Sequence, residues 1–419
     1  MRLDIVDLGV QGDGIASWES RRVIVPFTLP GDVVEADLDE IPESEPRRAR
    51  LRRVLEPAPS RIAPICPHFG TCGGCQLQHQ EMQAYLAWKR ERVIAALRGA
   101  GLAEIPVEPV LPTPPGERRR ARLGFRLIDG TPRLGFAERG THRPVDIRSC
   151  AILRPELVAL LPRLRESAEL RGLGPCAIEL TLTLTGLDAL IETPNSLSPP
   201  MRTRLAALAE SLDLARLSTR ENGAIEPIAW RRTPELEFSG VPVTPPPGGF
   251  VQASAAAERE LVRLARSAIG EARRIADLFS GCGTFTFALA SAGRSRSILA
   301  VEGDAPALAS LDAAARRAGL SGRVRMIRRN LEKEPMSPPE LRDRDAVLFD
   351  PPRAGARAQA AMLAASAVPV VVAVSCDPAS FARDAALLAA GGYRLERVSP
   401  VDQFLWTGHV ELIAVFRRR

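Results

Sequence analysis

The chain has 419 residues, of which 45% are hydrophobic and 25% are charged. This composition is typical of folded globular domains rather than of disordered or fibrous chains. The sequence contains no run of eighteen apolar residues, which excludes a transmembrane helix, and its first residues lack the apolar segment of a signal peptide, so we expect a cytoplasmic protein without membrane contacts. The net charge of +6 weakly favours an anionic partner such as a nucleic acid.

Residues 1–57 are predicted to form a small β-rich unit. Short strands are expected over 3–8, 23–25 and 33–38, and turns that contain glycine separate them. Several short strands in fewer than sixty residues favour a small barrel of the OB type, which commonly binds oligonucleotides. A β-domain without a ligand has the same pattern, so both interpretations stay open on the pattern alone.

A cluster of three cysteines follows a proline-rich linker. Cys66, Cys72 and Cys75 are spaced as C-x5-C-x2-C, and Cys150 lies 75 residues further on. Thiolates at this spacing suit a structural zinc ion or an iron–sulfur cluster, and the alternative is a group of buried unpaired thiols. Because the chain has seven cysteines, an odd number, we do not expect a disulfide framework.

Residues 58–245 are predicted to form a central α+β region. Helices are expected over 76–97 and 154–170. The expected strands are 123–128, 133–137, 178–185 and 189–193. The segment 242–249 holds four prolines and two glycines, which mark the end of this region.

Pairs and runs of arginine are candidate contacts for RNA phosphates. Segment 117–122 contains four arginines, and further pairs lie at 21–22 and 47–48. Guanidinium groups bind phosphate oxygens without reading the base sequence. A solvated surface is the alternative interpretation, because arginine is abundant throughout this chain: only two of its 56 basic residues are lysines.

Residues 246–419 are predicted to form a Rossmann-like α/β domain. Apolar runs alternate there with alanine-rich segments of helical character. The runs are 275–279, 297–301, 324–327, 346–349, 370–374, 395–398 and 410–416. Buried runs that alternate with helices are typical of a parallel sheet covered on both faces.

The first two strands of this domain carry a candidate S-adenosylmethionine site. The first strand ends in the motif D-x-F-x-G-x-G over 277–283, where two glycines let the backbone turn sharply beside a ligand. Asp277 could accept hydrogen bonds from the cofactor or from loop amides. Glu302 ends the second strand, where a carboxylate can hold a ribose diol. A purely structural strand–turn–helix unit is the alternative.

The later strands carry a candidate nucleophile and a candidate base. Cys376 precedes Asp377 and Pro378, which read as the cap and first turn of a helix, and a helix N-terminus favours a thiolate. Glu411 lies at the start of the last strand. Addition of a thiolate to carbon 6 of uracil makes carbon 5 nucleophilic toward a methyl donor, and a base must then remove the proton from carbon 5. The pair therefore suits methylation of uridine at carbon 5.

The order of these motifs resembles the RNA 5-methyluridine (uracil-5-) methyltransferase family, in particular its iron–sulfur members that modify 23S ribosomal RNA. The resemblance covers nearly the whole chain and rests on C-x5-C-x2-C, D-x-F-x-G-x-G, D-P-P-R-x-G and S-C-x-P. It implies a TRAM domain, an RNA-binding barrel of the OB type, at the N-terminus. It also implies a structured RNA as substrate, with no obligate protein partner, and we expect a monomer.

The resemblance further assigns roles to single residues. It implies Cys376 as the nucleophile and Glu411 as the proton-abstracting base. The residues implied to line the cofactor and target pocket are Gln252, Phe279, Thr284, Glu302, Asn330 and Asp350. The residues implied to hold a 4Fe–4S cluster, with zinc as the alternative, are Cys66, Cys72, Cys75 and Cys150.

Several positions depart from the family pattern. The family usually has asparagine where Ser254, Thr284 and Asp377 stand, and cysteine where Ser280 stands. The common segment D-x-F-P-x-T reads D-Q-F-L-W-T here and includes Trp406. Asp377 adds a negative charge beside the thiol, which opposes thiolate formation unless that charge is paired.

Three alternative functions remain open at this point. The first is uridine-5 methylation of transfer RNA. The second is methylation of a nitrogen in RNA or protein, for which D-P-P-x motifs also serve and which needs no cysteine. The third is a non-catalytic RNA-binding assembly factor that keeps the cofactor fold, against which the presence of Cys376 and Glu411 counts.

Overall fold

The computed structural model describes residues 1–39, 47–194 and 196–419. At the N-terminus, six strands form one sheet of order β1-β5-β6-β4-β3-β2. They are β1 (Arg2–Asp4), β2 (Asp7–Leu8), β3 (Gly14–Trp18), β4 (Arg21–Val25), β5 (Val33–Leu38) and β6 (Arg47–Glu56). The expected strand 3–8 is divided into β1 and β2, and the sequence pattern did not predict β3 or β6.

The N-terminal sheet curls around a core of its own. The long strand β6 pairs with β5 on one side and with β4 on the other. The enclosed side chains come from all strands except β2; they include Leu3, Ala16, Val23, Val34 and Ala49. This barrel-like curl confirms the expected small β unit in its general form, while the OB topology and RNA binding stay predictions.

Helix α1 (Met82–Gly99) connects the cysteine segment with the rest of the chain. It begins six residues later than expected, because the carboxylate of Glu81 accepts hydrogen bonds from the amides of Gln83 and Ala84 and caps the helix there. Its buried residues recur every four positions: Tyr85, Lys89, Val93 and Leu97. The aliphatic members of this stripe pack into the core of the C-terminal sheet.

The central sheet has six strands in the order β12-β11-β10-β9-β7-β8. The strands are β7 (Arg120–Ile128), β8 (Thr131–Gly135), β9 (Cys176–Thr183), β10 (Gly186–Thr193), β11 (Leu214–Glu221) and β12 (Ala224–Trp230). The helices are α2 (Pro155–Glu166), α3 (Ala168–Leu173) and α4 (Pro199–Ser211). The single helix expected over 154–170 is two helices, because Ser167 is extended and its hydroxyl accepts from the amide of Leu170 to start α3.

The C-terminal sheet has seven strands in the order β17-β16-β15-β18-β19-β21-β20, and a hairpin of β13 (Leu236–Phe238) and β14 (Val241–Val243) precedes it. The strands are β15 (Arg274–Leu278), β16 (Ser297–Glu302), β17 (Val324–Arg328), β18 (Ala346–Phe349), β19 (Val370–Ser375), β20 (Tyr393–Val401) and β21 (Glu411–Arg418). The helices are α5 (Ala255–Ile269), α6 (Thr284–Ser291), α7 (Ala305–Arg317), α8 (Pro338–Leu341), α9 (Arg357–Ala364) and α10 (Pro378–Ala390).

Both faces of this sheet are covered, as the apolar runs predicted. Successive residues of β18, Ala346 and Val347, belong to different hydrophobic clusters. The expectation of a wholly parallel sheet is wrong in one strand, since β21 runs antiparallel to β19 and β20. The connection from β20 to β21 holds no helix, and a parallel return requires a long crossover. No helix in the described ranges is long and apolar enough to span a bilayer.

The central sheet contains a buried ion pair that yields a stability prediction. The guanidinium of Arg216 donates to Asp188 at 2.8 and 2.6 Å and to the carbonyl of Pro245 at 2.9 Å. The variant Arg216→Met leaves Asp188 buried and unpaired, so the free energy of unfolding should fall by ~3–5 kcal/mol in a urea titration. The double variant Arg216→Met/Asp188→Leu should recover much of this loss; equal loss in both variants would contradict the explanation.

Candidate active site

The turn after β15 forms the predicted cofactor loop. Phe279, Gly281 and Gly283 all have positive φ angles, of 62°, 53° and 101°. A Cβ atom on Gly283 would lie 2.6 Å from the ring of Phe287, so this position requires glycine. A Cβ on Gly281 would meet no atom within 4 Å, which leaves the outer side of the turn open to a ligand.

Polar groups from neighbouring strand ends surround this turn. Glu302 at the end of β16 accepts hydrogen bonds from the amides of Gly281 at 2.9 Å and Asp304 at 2.7 Å. Asn330 follows β17 with an exposed side chain, whose oxygen accepts from the amides of the next turn at 3.0 and 3.3 Å. Thr284 begins α6 and lines a cleft that α5 and β13 also border. A ribose diol could hydrogen-bond to the partly exposed carboxylate of Glu302.

Asp277 lies beneath the turn and is fully buried. One oxygen of its carboxyl accepts a hydrogen bond from the hydroxyl of Thr286, and the other has no hydrogen-bond partner in the described part of the chain. Burial, with smaller contributions from Asp350 and Glu302, raises the pKa of Asp277 to about 7. Its one bonded oxygen therefore supports α6 from inside the protein rather than an amide of the loop.

Cys376 lies between β19 and α10, as the sequence indicated. The predicted cap is confirmed, because the carboxylate of Asp377 accepts from the amides of Ala379 and Ser380 at 3.0 Å each. Arg353 lies 3.5 Å from the same carboxylate and pairs its charge. Cys376 itself is half-buried.

The electrostatics of Cys376 differ from the expectation based on the helix N-terminus. Burial, followed by the negative charges of Glu411, Asp350 and Asp377, raises the pKa of the Cys376 thiol to about 12. The helix N-terminus alone would lower it. Burial and the carboxylates outweigh the helix N-terminus, so Cys376 is a protonated thiol at neutral pH.

Glu411 is the first residue of β21 and is 3% exposed. The pKa of its carboxyl is raised well above the usual value, because the group is buried and lies near Asp350. A chain of three hydrogen bonds links Glu411 to Asp350 through Gln403 and Gln252. The side-chain amide nitrogen of Gln403 donates to Glu411 at 3.0 Å and to the oxygen of Gln252 at 2.8 Å. The amide of Gln252 in turn donates to Asp350 at 3.3 Å.

The sequence analysis did not identify Gln403 as a site residue. Its only sequence signal is its place in the segment D-Q-F-L-W-T after an apolar run, where any side chain could stand. The strand order explains its position: β20 ends at the same edge of the sheet at which the antiparallel β21 begins, with Val401 opposite Glu411.

The four cysteines of the predicted metal site line one cavity. Cys66, Cys72, Cys75 and Cys150 all lie in the wall of this cavity, which is small, with a volume of about 20 Å³. Burial raises the pKa of Cys75 to about 12 and also raises the pKa values of Cys72 and Cys150. The sulfur of Cys72 accepts from the amide of Gly74 at 3.4 Å, a contact that suits a cluster thiolate. Among the described residues, no group of three or more histidine, cysteine, aspartate or glutamate side chains is arranged to hold a metal ion.

The arginines of segment 117–122 have partners within the protein. Arg119 pairs with Glu258 at 2.6 Å. Arg120 and Arg122 pair with Glu179 at 3.1 and 2.8 Å. These guanidinium groups therefore join the central sheet to its surroundings, while the side chain of Arg122 is still 52% exposed, and phosphate binding by this run stays a prediction.

Comparison with known proteins gives matches over the whole chain. Residues 340–419 match the family model of tRNA (uracil-5-)-methyltransferases. An uncharacterized RNA methyltransferase of Brucella suis is 44% identical over 419 residues, covering 100% of this chain and 98% of the relative. The 23S rRNA (uracil(1939)-C(5))-methyltransferase RlmD of Pectobacterium atrosepticum is 32% identical over 426 residues, covering 99% of this chain and 93% of the relative.

One solved structure matches at the level of the fold. The tRNA (uracil-54, C5)-methyltransferase of Pyrococcus abyssi, in complex with S-adenosyl-L-homocysteine, superposes with a TM-score of 0.77. The sequence identity is 23%, and the match covers 99% of each chain. The likeness confirms the α/β fold expected for the C-terminal part of the chain.

The electrostatics of Cys376 predict its reactivity. In the ligand-free protein, alkylation of Cys376 by iodoacetamide should be slow at neutral pH and accelerate as the pH rises, because the thiolate is the nucleophile. The variant Glu411→Gln should shift this profile to lower pH, since it removes a negative charge that disfavours the thiolate. Peptide mass spectrometry measures the rate, with Cys176 as internal reference, whose pKa is raised by burial alone. Identical profiles for Cys376 in both proteins would contradict the role of Glu411.

Proposed function

The chain belongs to the family of S-adenosylmethionine-dependent RNA uracil-C5 methyltransferases, and we propose that it methylates a uridine of 23S ribosomal RNA through Cys376 and Glu411. The observation that carries this proposal is the meeting of Cys376, the two acids Asp350 and Glu411, and two glutamines at one edge of the C-terminal sheet. The preference for ribosomal RNA is supported by the RlmD relative, which aligns over 99% of this chain, including the N-terminal sheet and all four cysteines' segments.

The proposed mechanism assigns one task to each side chain. Cys376 first loses its thiol proton to solvent; its sulfur then forms a bond to carbon 6 of the uracil, and the electron pair of the C5–C6 double bond moves toward the carbonyl oxygen at carbon 4. S-adenosylmethionine, when bound, supplies an electrophilic methyl group to carbon 5. Glu411 then removes the proton from carbon 5, the double bond re-forms and the sulfur leaves as the thiolate. The raised pKa makes Glu411 the stronger base once it is ionised.

The residues of the cofactor loop fit such a donor. Glu302 would hold the ribose, and the open side of the Gly281 turn leaves room for backbone contact. Phe279, Thr284 and Asn330 lie at or beside the same strand ends. Asp350 and Gln252 would position the target uracil, because they contact each other beside Cys376 and Glu411.

We further propose that the N-terminal sheet contacts RNA. Exposed arginines lie on its neighbouring strands β4 and β6, at Arg21, Arg22, Arg48 and Arg50. They could bind phosphates and position the RNA, while the target uridine is flipped out of its stack to reach Cys376. A transfer RNA could use the same surface, so the identity of the RNA is an outcome of the test below.

The four-cysteine cavity supports a 4Fe–4S cluster as the resident group. Four thiols that line one cavity could supply the thiolate ligands that a 4Fe–4S cluster or a zinc ion requires. Cys66, Cys72, Cys75 and Cys150 would be the ligands. Backbone amides near Cys72 would stabilise their negative charge.

The catalytic proposal is tested by methyl transfer from labelled S-adenosylmethionine to unmodified total RNA. The wild-type protein should produce 5-methyluridine in 23S ribosomal RNA, measured by nucleoside analysis of the separated RNAs. Cys376→Ala should lose all product while it still binds the cofactor. Glu411→Gln should accumulate an enzyme–RNA adduct that survives denaturation, since the bond to carbon 6 cannot break without removal of the proton. Continued methylation by Cys376→Ala would reject the mechanism, and product in transfer RNA alone would reject the substrate.

The cluster proposal is tested by metal analysis of protein purified without oxygen. We expect about four iron and four sulfide ions per chain and a broad absorbance near 400 nm, as a 4Fe–4S cluster requires. Cys150→Ser should lose most of the iron, whereas Cys176→Ser, a half-buried cysteine outside the cavity, should keep it. If the protein contains one zinc ion per chain and no iron, the proposal of a 4Fe–4S cluster is wrong and the site binds zinc.

A further inference from the structure

Gln403 occupies a central position in the proposed site. It is 5% exposed, and its single amide nitrogen donates to both Gln252 and Glu411. With Asp350 and Glu411 as acceptors, only one orientation of the two glutamine amides makes every contact a donor–acceptor pair. In that orientation the oxygen of Gln252 faces Gln403 and its nitrogen faces Asp350.

This arrangement restricts the rotation of two groups that the proposed reaction uses. The terminal torsions of glutamate and glutamine are broad, so packing alone does not fix the orientation of a carboxyl or an amide group. The bond from Gln403 selects one orientation of the Glu411 carboxyl, and the bond to Gln252 selects one orientation of its amide. Gln403 thus couples the base to the proposed uracil-positioning group.

The segment that carries Gln403 is itself anchored by helix α1. Asp402, the preceding residue, is fully buried and forms an ion pair with Lys89. The hydroxyl of Tyr85 donates to the same carboxyl at 3.0 Å and accepts from the amide of Trp406 at 2.7 Å. The ammonium of Lys89 also donates to the carbonyl of Phe404 at 3.0 Å.

A lysine in this position is unusual for the chain. Lys89 is one of only two lysines among 56 basic residues, and it has no exposed surface. A buried ion pair contributes little net stability compared with an apolar pair of similar size, but it fixes relative position, because one misplaced partner leaves an uncompensated charge. The pair thus defines where the backbone at 402 lies.

We propose that Gln403 is a positioning residue that holds the carboxyl of Glu411 for proton removal, and that Lys89 holds Gln403 in place through its ion pair with Asp402. The inference rests on the proposed function and deepens it: α1, which lies outside the C-terminal sheet, takes part in the base step. Neither residue touches the reacting atoms.

The order of the chemical steps provides a specific readout. Glu411 acts after the methyl group has reached carbon 5, so a misplaced base slows the breakdown of the covalent adduct and not its formation. A variant that only weakens the fold lowers both. The Gln403→Leu variant should therefore reduce kcat about 10- to 100-fold, the range expected for misplacement of a catalytic group. Its KM for S-adenosylmethionine should stay within about twofold of the wild-type value, because the cofactor contacts are unchanged.

The assay uses the full-length protein and radiolabelled 23S ribosomal RNA transcribed in vitro, and denaturing gels measure the adduct at steady state. Gln403→Leu should show several times more adduct than the wild type. The matched control is Gln359→Leu, which also removes a buried amide with two hydrogen bonds, at 2.8 and 3.1 Å to Met336. This control should show no excess adduct. Equal adduct levels in both variants would overturn the role of Gln403.

Two variants separate the role of Lys89 from folding. Lys89→Met leaves Asp402 buried and unpaired and should lower both the melting temperature and kcat. Lys89→Met/Asp402→Leu replaces the pair by apolar side chains and should recover melting temperature. If Lys89 acts by positioning, the double variant still accumulates adduct; if it recovers wild-type turnover without adduct, the positioning role is wrong.

The same gels distinguish this inference from the proposed function. Cys376→Ala and Glu411→Gln serve as references, with no adduct and maximal adduct respectively. If these two fail to behave so, the proposed mechanism is wrong. If they behave as expected while Gln403→Leu loses activity without excess adduct, only the inference about Gln403 is wrong.

Discussion

The strand directions of the C-terminal sheet are the constraint on which the site depends. Parallel strands place the ends of β15, β16, β18 and β19 at one edge, and the antiparallel β21 begins at that same edge. The pairing of Ser375 with Leu412 brings the residue after β19 close to the first residue of β21. Cys376 and Glu411, 35 positions apart in the sequence, become neighbours for this reason. A parallel β21 would place Glu411 at the opposite edge.

Convergence at one edge also concentrates negative charge. Burial raises the pKa values of Asp277, Asp350 and Glu411, and nearby acids raise those of Asp277 and Glu411 further. The charges of Glu411, Asp350 and Asp377 in turn disfavour the thiolate of Cys376. Buried carboxyls destabilise the folded state when they ionise, so these acids lower the stability of the protein. The same acids can change their protonation when the positively charged cofactor or the target uracil binds beside them. The carboxylate of Asp377, directly next to the thiol, forms an ion pair with Arg353 and accepts a hydrogen bond from the first turn of α10.

Distant parts of the chain meet at the segment between β20 and β21. Helix α1 reaches it through Lys89 and Tyr85, and the cysteine segment reaches it through the amides of Gln76 and Leu77, which donate to the carbonyl of Trp406 at 2.8 and 3.0 Å. Trp406 has a positive φ angle of 57°, which its surroundings must maintain. The four-cysteine cavity and the base-bearing segment therefore belong to one connected structure. Through the hydrogen bonds to Trp406, a change in the cysteine segment can alter the position of the segment that precedes Glu411.

The sequence by itself determined the features that depend on neighbouring residues. The apolar runs indicated every strand of the C-terminal sheet, the glycines marked the turn after β15, and Asp377 with Pro378 marked the start of α10, because caps and turns use residues a few positions apart. Only the tertiary structure decided the rest. It reversed β21, paired Arg119 with Glu258 and placed Gln403 and Lys89 behind Glu411. These outcomes depend on strand order and on contacts between residues far apart in the chain, which leave no periodic or local signal in one sequence.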